Sequence, residues 1–305
     1  MTVEGKAILP DARPLGAITQ AEVASQPDIW SRVLAEAGDT TPLLPAAGEP
    51  VLFVGCGTSF YIGEAYARRR NSAGLGRTRA AIASEIPYVD PAEALVVLSR
   101  SGTTSDVVRV VEQFHGKTAI VGIVGEPGTP IATMCDQTIL LDYADEQSVV
   151  QTRFATSALT LLRASLGENL TDLPDQARAA LDLKMPRVLP SHVVFLGTDW
   201  TIGLAHEAAL KCREAAGAWT EAYAVMEYQH GPISAAGPHT LVWSLDPLPA
   251  FVRESVQSTG ATVWEPDIDP LAQIVAVHRL ALKLADSVGR DSDRPQHLSR
   301  SVQLS

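Results

Sequence analysis

Apolar residues fall into short unbroken runs separated by stretches with helical spacing. In the first half the runs are VLFVG (51–55), RAAIA (79–83), ALVVLS (94–99), TAIVGIVG (118–125) and QTILLD (137–142). Between them, apolar positions recur every three or four residues over 60–72, 105–114 and 152–166. Runs with little alternation suit strands buried on both faces, and their separation by helices predicts an α/β fold with a parallel sheet. Ahead of the first run, ITQAEVASQPDIWSRVLAEAG reads as two helices broken at Gln26-Pro27, because proline is accommodated in the first turn of a new helix. Residues 1–16 carry Gly5, Pro10, Pro14 and Gly16 without a period and read as a tail or arm.

The polar, proline-bearing stretch GENLTDLPDQARAALDLKMPRVLPS reads as a connection between two units. After it, HVVFLGTDW repeats the order of VLFVGCGTS, namely strand, glycine, small hydroxyl residue and helix. This predicts a duplicated α/β unit. The second half continues with a helix over 201–216, the loop YAVMEYQHGPIS, the strand TLVWSLD and helices over 251–257 and 270–288. A chain of 305 residues agrees with two domains. The expected division is an arm with helices over 1–47, a first domain over 48–167, a linker over 168–190 and a second domain over 191–305.

Charge removes several classes of function. Lys and Arg number 24 against 35 Asp and Glu, a formal charge of -11, so a nucleic-acid backbone would meet a repulsive average field. No apolar run approaches the roughly 20 residues of a membrane span, and no basic N-terminal region leads into an apolar core. Cys56, Cys135 and Cys212 lack CxxC spacing, which suits a reducing cytoplasm better than a disulfide framework. The seven histidines show no HxH or HExxH spacing, so neither a metal nor another cofactor is expected.

Two loops carry candidate chemistry. Gly55-Cys56-Gly57-Thr58-Ser59 follows a strand and opens a helix, a place whose N–H groups suit an anion. The same glycine pair also fits the methionine end of a methyl donor, or plain turn chemistry. The second loop, LSRSGTTSD (98–106), offers hydroxyls on Ser99, Ser101, Thr103 and Thr104 at the start of another helix, where the helix dipole favours a dianion. Such residues also serve as ordinary helix caps. Two hydroxyl-rich loops at neighbouring strand ends nevertheless favour a phosphate, because a methyl-donor site has no use for the second.

In HEAALKCREAAG, Glu207, Lys211 and Glu214 are spaced by four and three residues and therefore share one helix face. They read either as a solvated ion-pair face or as a charged group at the ligand edge of the sheet. His230, in the turn QHGPIS, gains interest beside Glu214, since a carboxylate and an imidazole together move protons near neutral pH.

These motifs resemble the sugar isomerase (SIS) domain family, in particular the isomerase half of glucosamine-6-phosphate synthase. The resemblance rests on EVASQP, GCGTSF, ASE (83–85), LSRSGTTSD, SVVQTRFATSAL, HEAALKCREAAGAWTEAYAVMEYQHGP and DSDRPQHLSRSV, which cover residues 20–303 in the family's order. It implies two tandem SIS-type domains, each a three-layer αβα sandwich. It implies that Ser99, Ser101 and Thr104, with Thr58 or Ser59, bind a sugar phosphate. Glu214 would move a proton between the first two sugar carbons, with Lys211 and the C-terminal position of Arg300 in the catalytic set. His230 would help open the ring across a homodimer interface. Gly57, Arg100, Val149, Gln151 and Glu207 would belong to the pocket around the sugar.

Three departures shape the expected function. Arg300 stands where the synthase has an imine-forming lysine, and a guanidinium that stays protonated is no amine nucleophile. Arg100 replaces a glutamine and Gln151 a serine, which points to a different sugar. Only residues 1–50 precede the first strand and Thr2 follows Met1, so no glutaminase unit is expected. SLDPLPAF, with Asp246 and two prolines, is a poor second anion loop, leaving one sugar site per chain. The expected activity is a cytoplasmic phosphosugar aldose–ketose isomerase or amino-sugar-phosphate deaminase. A non-catalytic sugar-phosphate sensor is the alternative, ahead of an ammonia-using aminotransferase and a methyltransferase.

Overall fold

The structure, a computed structural model, describes residues 13–86, 88–186 and 188–304. Most of the arm expected over 1–16 lies outside the described residues. Five strands, β1 (Val51–Gly55), β2 (Thr78–Ile82), β3 (Ala94–Ser99), β4 (Ile120–Val124) and β5 (Gln137–Leu140), form a parallel sheet in the order β2-β1-β3-β4-β5. A second parallel sheet runs β7-β6-β8-β9, from β6 (His192–Gly197), β7 (Trp219–Ala224), β8 (Thr240–Ser244) and β9 (Thr262–Trp264). The α/β class with helix-flanked parallel sheets is therefore as expected. Strands β7 and β9 were not legible in the apolar pattern.

Helices fill the space between and outside the sheets. They are α1 (Ala17–Thr40), α2 (Thr58–Ser72), α3 (Ser105–Phe114), α4 (Pro130–Met134), α5 (Arg153–Ser165), α6 (Leu173–Asp182), α7 (Thr201–Ala216), α8 (Ala250–Ser258) and α9 (Pro270–Ser287). Alternate strand residues face different layers. Val51, Phe53, Val193 and Phe195 enter the large central core with helices α1, α5, α7 and α9. Leu52 and Val54 meet α3, and Val194 and Val242 meet α8, in two outer cores. Among the described residues no helix is long and apolar enough to cross a membrane.

Two expectations are corrected here. The stretch 168–190 contains α6, whose Leu173, Ala177 and Ala180 are buried against α1 and α9, so it is packed structure rather than a free connection. The N-terminal helix is not broken at Gln26-Pro27, since α1 runs through Pro27. A proline deprives the carbonyl four residues earlier of its donor. That carbonyl belongs to Val23, and the side-chain Nε2 of Gln26 donates to it at 3.2 Å.

The two halves meet where α2 crosses α7. A Cβ on Gly203 would lie 2.6 Å from both the Ala65 nitrogen and the Tyr61 carbonyl oxygen. These are backbone atoms of α2 and cannot swing aside. Gly203→Ala is therefore expected to destabilise the protein by about 1–3 kcal/mol in urea unfolding despite alanine's helix propensity. Gly38→Ala, at an open position of α1, should instead stabilise by about 0.5–1 kcal/mol.

Candidate functional site

In a sheet ordered β2-β1-β3, the crevice between the carboxyl ends of β1 and β3 is the topological switch point where open α/β sheets take ligands. Both hydroxyl loops leave the sheet there. Thr58, Ser59, Ser99 and Ser101 are all buried. Gly102 has φ +62°, and a Cβ there would lie 2.0 Å from Thr129 Oγ1, so only glycine lets the loop lie this close to its neighbour. Thr104 is the N-cap of α3, yet its side chain makes no capping bond. Its Oγ1 lies 3.5 Å from Ser99 Oγ instead. Ser101 Oγ accepts from the Thr103 N–H at 3.3 Å and from Thr103 Oγ1 at 3.1 Å.

Lys211 joins this edge to Glu214. Its ammonium donates to Thr58 Oγ1 at 2.8 Å and to Glu214 Oε2 at 2.5 Å, and Glu207 Oε1 stands 3.5 Å away. Lys211 and Glu207 side chains are each 1% exposed, so this is not a solvated ion-pair face. Burial pushes the Glu207 carboxyl up to about 7 against the pull of Lys211. Burial works against the Lys211 ammonium, but Glu207 and then Glu214 outweigh it and hold the group above its ordinary value. Glu214 keeps a 20% exposed side chain and faces a cavity of about 610 Å³. That cavity is walled by Arg213, Arg290 and residues 294–298, and the loop 99–104 does not line it.

Arg100 and Arg300 are both bonded to the protein itself. The Arg100 side chain is 1% exposed and turned inward, donating to the carbonyls of Ser148 at 2.9 Å and Val149 at 3.1 Å, with Glu146 3.8 Å away. It therefore shapes the segment 146–151 from beneath. Glu146 caps α5, accepting from the N–H groups of Thr152 at 2.7 Å and Arg153 at 2.9 Å. Glu22 of α1 accepts from the Gln147 N–H at 2.5 Å and from the Ser148 hydroxyl. Gln151 leaves its Oε1 buried and unpartnered, and the Val149 N–H donates to the Asp293 carbonyl at 3.2 Å.

Arg300 anchors the C-terminal segment. Its guanidinium donates to Glu126 Oε1 at 2.5 Å, to both Asp145 oxygens at 2.6 and 2.7 Å and to the Glu146 carbonyl. The segment beyond it covers the second hydroxyl loop. Thr103 Oγ1 lies 3.0 Å from Ser301 Oγ, and the Ser105 N–H donates to the Val302 carbonyl at 3.1 Å.

The second sheet repeats the switch point between β6 and β8 but closes it. Asp246 Oδ2 accepts from the Thr198 N–H at 2.9 Å and from the Thr201 hydroxyl at the start of α7. A carboxylate of the chain itself thus occupies the donors an anion would need. His230 is exposed on the turn after β7 and does not line the cavity beside Glu214. Within one chain the structure thus joins Thr58, Glu207, Lys211 and Glu214, with Gly57 at the same loop, but not His230. Glu22 and Glu146 carried no signal of their own in the sequence, because each acts on residues more than five positions away.

Comparison with known proteins follows this geometry. Residues 48–166 match the model of the SIS domain family. The glutamine–fructose-6-phosphate aminotransferase (isomerizing) of Aeropyrum pernix is 26% identical over 346 residues, covering 92% of this chain and 56% of that protein. The protein of the same name from Gluconobacter oxydans is 25% identical over 323 residues, covering 86% and 53%. The chain spans about half the length of the curated relatives it matches. Among solved structures, glucosamine-6-phosphate deaminase of Thermotoga maritima has a TM-score of 0.78 at 25% identity, covering 94% of this chain and 99% of that one. The C-terminal domain of glucosamine-fructose-6-phosphate aminotransferase from Francisella tularensis shares the fold, with a TM-score of 0.77 at 20% identity over 95% and 100% of the two chains. Residues 48–166 thus resemble a SIS domain, within a chain whose fold as a whole is similar to these structures.

Proposed function

We propose that this protein enolises a sugar phosphate, as an aldose–ketose isomerase or an amino-sugar-phosphate deaminase. The observation that carries the reading is the Lys211 ammonium, bonded at once to a hydroxyl of the first loop and to the carboxylate of Glu214. The phosphate is held by Ser99, Ser101 and Thr104 with Thr58 or Ser59, and it serves as the handle that sets C1 and C2 against Glu214. Val149 and Gln151 border the sugar, and the free Oε1 of Gln151 is an acceptor for a hydroxyl or amino group.

Glu214 takes the proton from C2 of the open aldose while the carbonyl oxygen at C1 gains one, giving an enediol. Return of the proton to C1, with loss of one from the C2 hydroxyl, yields the ketose. A 2-amino sugar follows the same path to an imine at C2, which water cleaves to ketose and ammonia. Arg300 offers no amine for an imine of its own, which favours these reactions over amino transfer through that position. The reading takes the chain as two tandem units in a homodimer, where His230 of one protomer opens the ring in its neighbour's site.

The test is proton NMR in D2O with hexose and hexosamine 6-phosphates. Wild-type protein should wash out a carbon-bound proton, and Glu214→Gln should slow this by about 10²–10⁴-fold. Full turnover by Glu214→Gln would sink the reading, and tight binding of a sugar phosphate without any exchange would make the protein a sensor.

Glu207 gives a second expectation. Its folded carboxyl sits at about 7 against an ordinary 4.5, so the folded state binds a proton more tightly than the unfolded chain. Its contribution to stability is full below pH 4.5 and is lost as pH rises through 7, by up to about 3 kcal/mol. In urea unfolding followed across this range, Glu207→Gln should flatten that fall.

A further inference from the structure

The cavity of about 610 Å³ beside Glu214 has a wall whose charge the enolisation mechanism leaves unused. Its ionisable lining is Arg213 and Glu214 of α7, with Arg290, Asp291, Arg294 and His297 of the segment after α9. Both carboxylates are already engaged. Glu214 Oε2 accepts from the Lys211 ammonium at 2.5 Å, and Asp291 Oδ1 accepts from the Gly16 N–H at 2.9 Å and the Asp293 N–H at 3.0 Å. Neither pairs with Arg213 or Arg290.

These two guanidiniums are held without a counter-ion. Arg213 Nη1 donates to the Thr220 carbonyl at 3.0 Å and to Thr220 Oγ1 at 3.2 Å, both neutral acceptors. The Arg290 side chain has no hydrogen-bond or ion-pair partner among the described residues, yet it has a seat. It lies against the bare Cα of Gly217, the left-handed cap of α7 at φ +62°, where a Cβ would run into the guanidinium. Arg213 and Gly217 are about one turn apart, so both cations stand at the C-terminal end of the helix that carries Glu214. In a chain of formal charge -11 such an uncompensated pair reverses the local field, and its planar forks suit the oxygens of a carboxylate or a phosphate.

The loop 99–104 does not line this cavity, so a phosphate held on that loop leaves the cavity to another part of the substrate. We propose that the substrate carries a second anionic group, a carboxylate or a further phosphate, near the carbons presented to Glu214, and that Arg213 and Arg290 receive it. The two arginines thereby decide which sugar phosphates are accepted and take no part in the proton transfer. The inference rests on the enolisation reading for the place of the substrate, but its test reads affinity and needs no turnover. As cations at the end of α7 the arginines also complement the helix dipole, a role that would show in unfolding and not in the choice of ligand.

Calorimetric titration of the intact protein with two matched pairs of sugar phosphates decides this. 6-Phosphogluconate differs from glucitol 6-phosphate by a carboxylate at C1, and fructose 1,6-bisphosphate differs from fructose 6-phosphate by a phosphate at C1. In one pair the more anionic member should bind about tenfold tighter or more, the gain of one charge-assisted hydrogen bond, and the pair that shows it tells carboxylate from phosphate. Arg213→Gln and Arg290→Gln should each cut that ratio by about fivefold or more, and added salt should shrink it. Equal affinities within both pairs overturn the proposal on wild-type protein alone, whether or not the variants fold. A ratio that survives in the double variant overturns it as well. The expected ratio together with no proton exchange in D2O on any sugar would count against the enolisation reading and leave the anion site standing, whereas exchange with equal affinities would do the reverse.

Discussion

A buried ammonium is the constraint around which the two halves of this molecule are arranged. Taking a lysine out of water costs several kcal/mol, offset only if its acceptors wait in position. For Lys211 those acceptors come from α2 and from two turns of its own helix: Thr58, Glu214 and Glu207. Thr58 belongs to the first sheet's loop and Lys211 to the second half's first helix, so the cation is solvated only when α2 and α7 are docked. The backbone contact at Gly203 lets the helices come that close. Removing either carboxylate would leave a buried charge short of partners, which ties the packing of the halves to the site.

The two parallel sheets each have a switch point, and the two are filled differently. At β1/β3 the loops present hydroxyls and N–H groups, and no side-chain carboxylate accepts from the hydroxyls of Ser99, Ser101 or Thr104 among the described residues. At β6/β8 the equivalent donors are satisfied from within by Asp246, two residues after β8 ends. The same strand–loop–helix geometry thus leaves hydroxyls without a carboxylate partner in one half and gives a self-capped helix start in the other. In the second half the buried Glu207 and Lys211 lie in the body of α7 rather than at its N-terminus.

How much of this was legible depended on the distance over which each interaction acts. Strands buried on both faces announce themselves as unbroken apolar runs, and seven of the nine were readable. β7 was missed because its register partner is β6 alone: as an edge strand reading WTEAYA it keeps Trp219 58% exposed and carries Glu221. α6 was hidden by the prolines around it. Glu207, Lys211 and Glu214 were found because helical spacing is a local rule. The surroundings of Arg100 and Arg300 were not legible for the opposite reason, since their partners Ser148, Glu126 and Asp145 lie from about fifty to 174 positions away and no spacing foretells them. The continuity of α1 through Pro27 likewise depended on a side chain, Gln26, standing in for a backbone donor.

The two arginines also settle what kind of field an anion would meet at the first switch point. With Arg100 turned beneath the segment 146–151 and Arg300 spent on Glu126 and Asp145, neither guanidinium is left to face a ligand. Attraction there comes from neutral hydroxyls, from N–H groups at the starts of α2 and α3, and from Lys211 through Thr58. Neutral donors hold a phosphate by direction more than by charge, so they discriminate by geometry and release it readily. Under the proposed enolisation, that suits a handle which orients two carbons against Glu214 and then lets the product go. A cradle of arginines in a protein of formal charge -11 would have bound harder and placed less well.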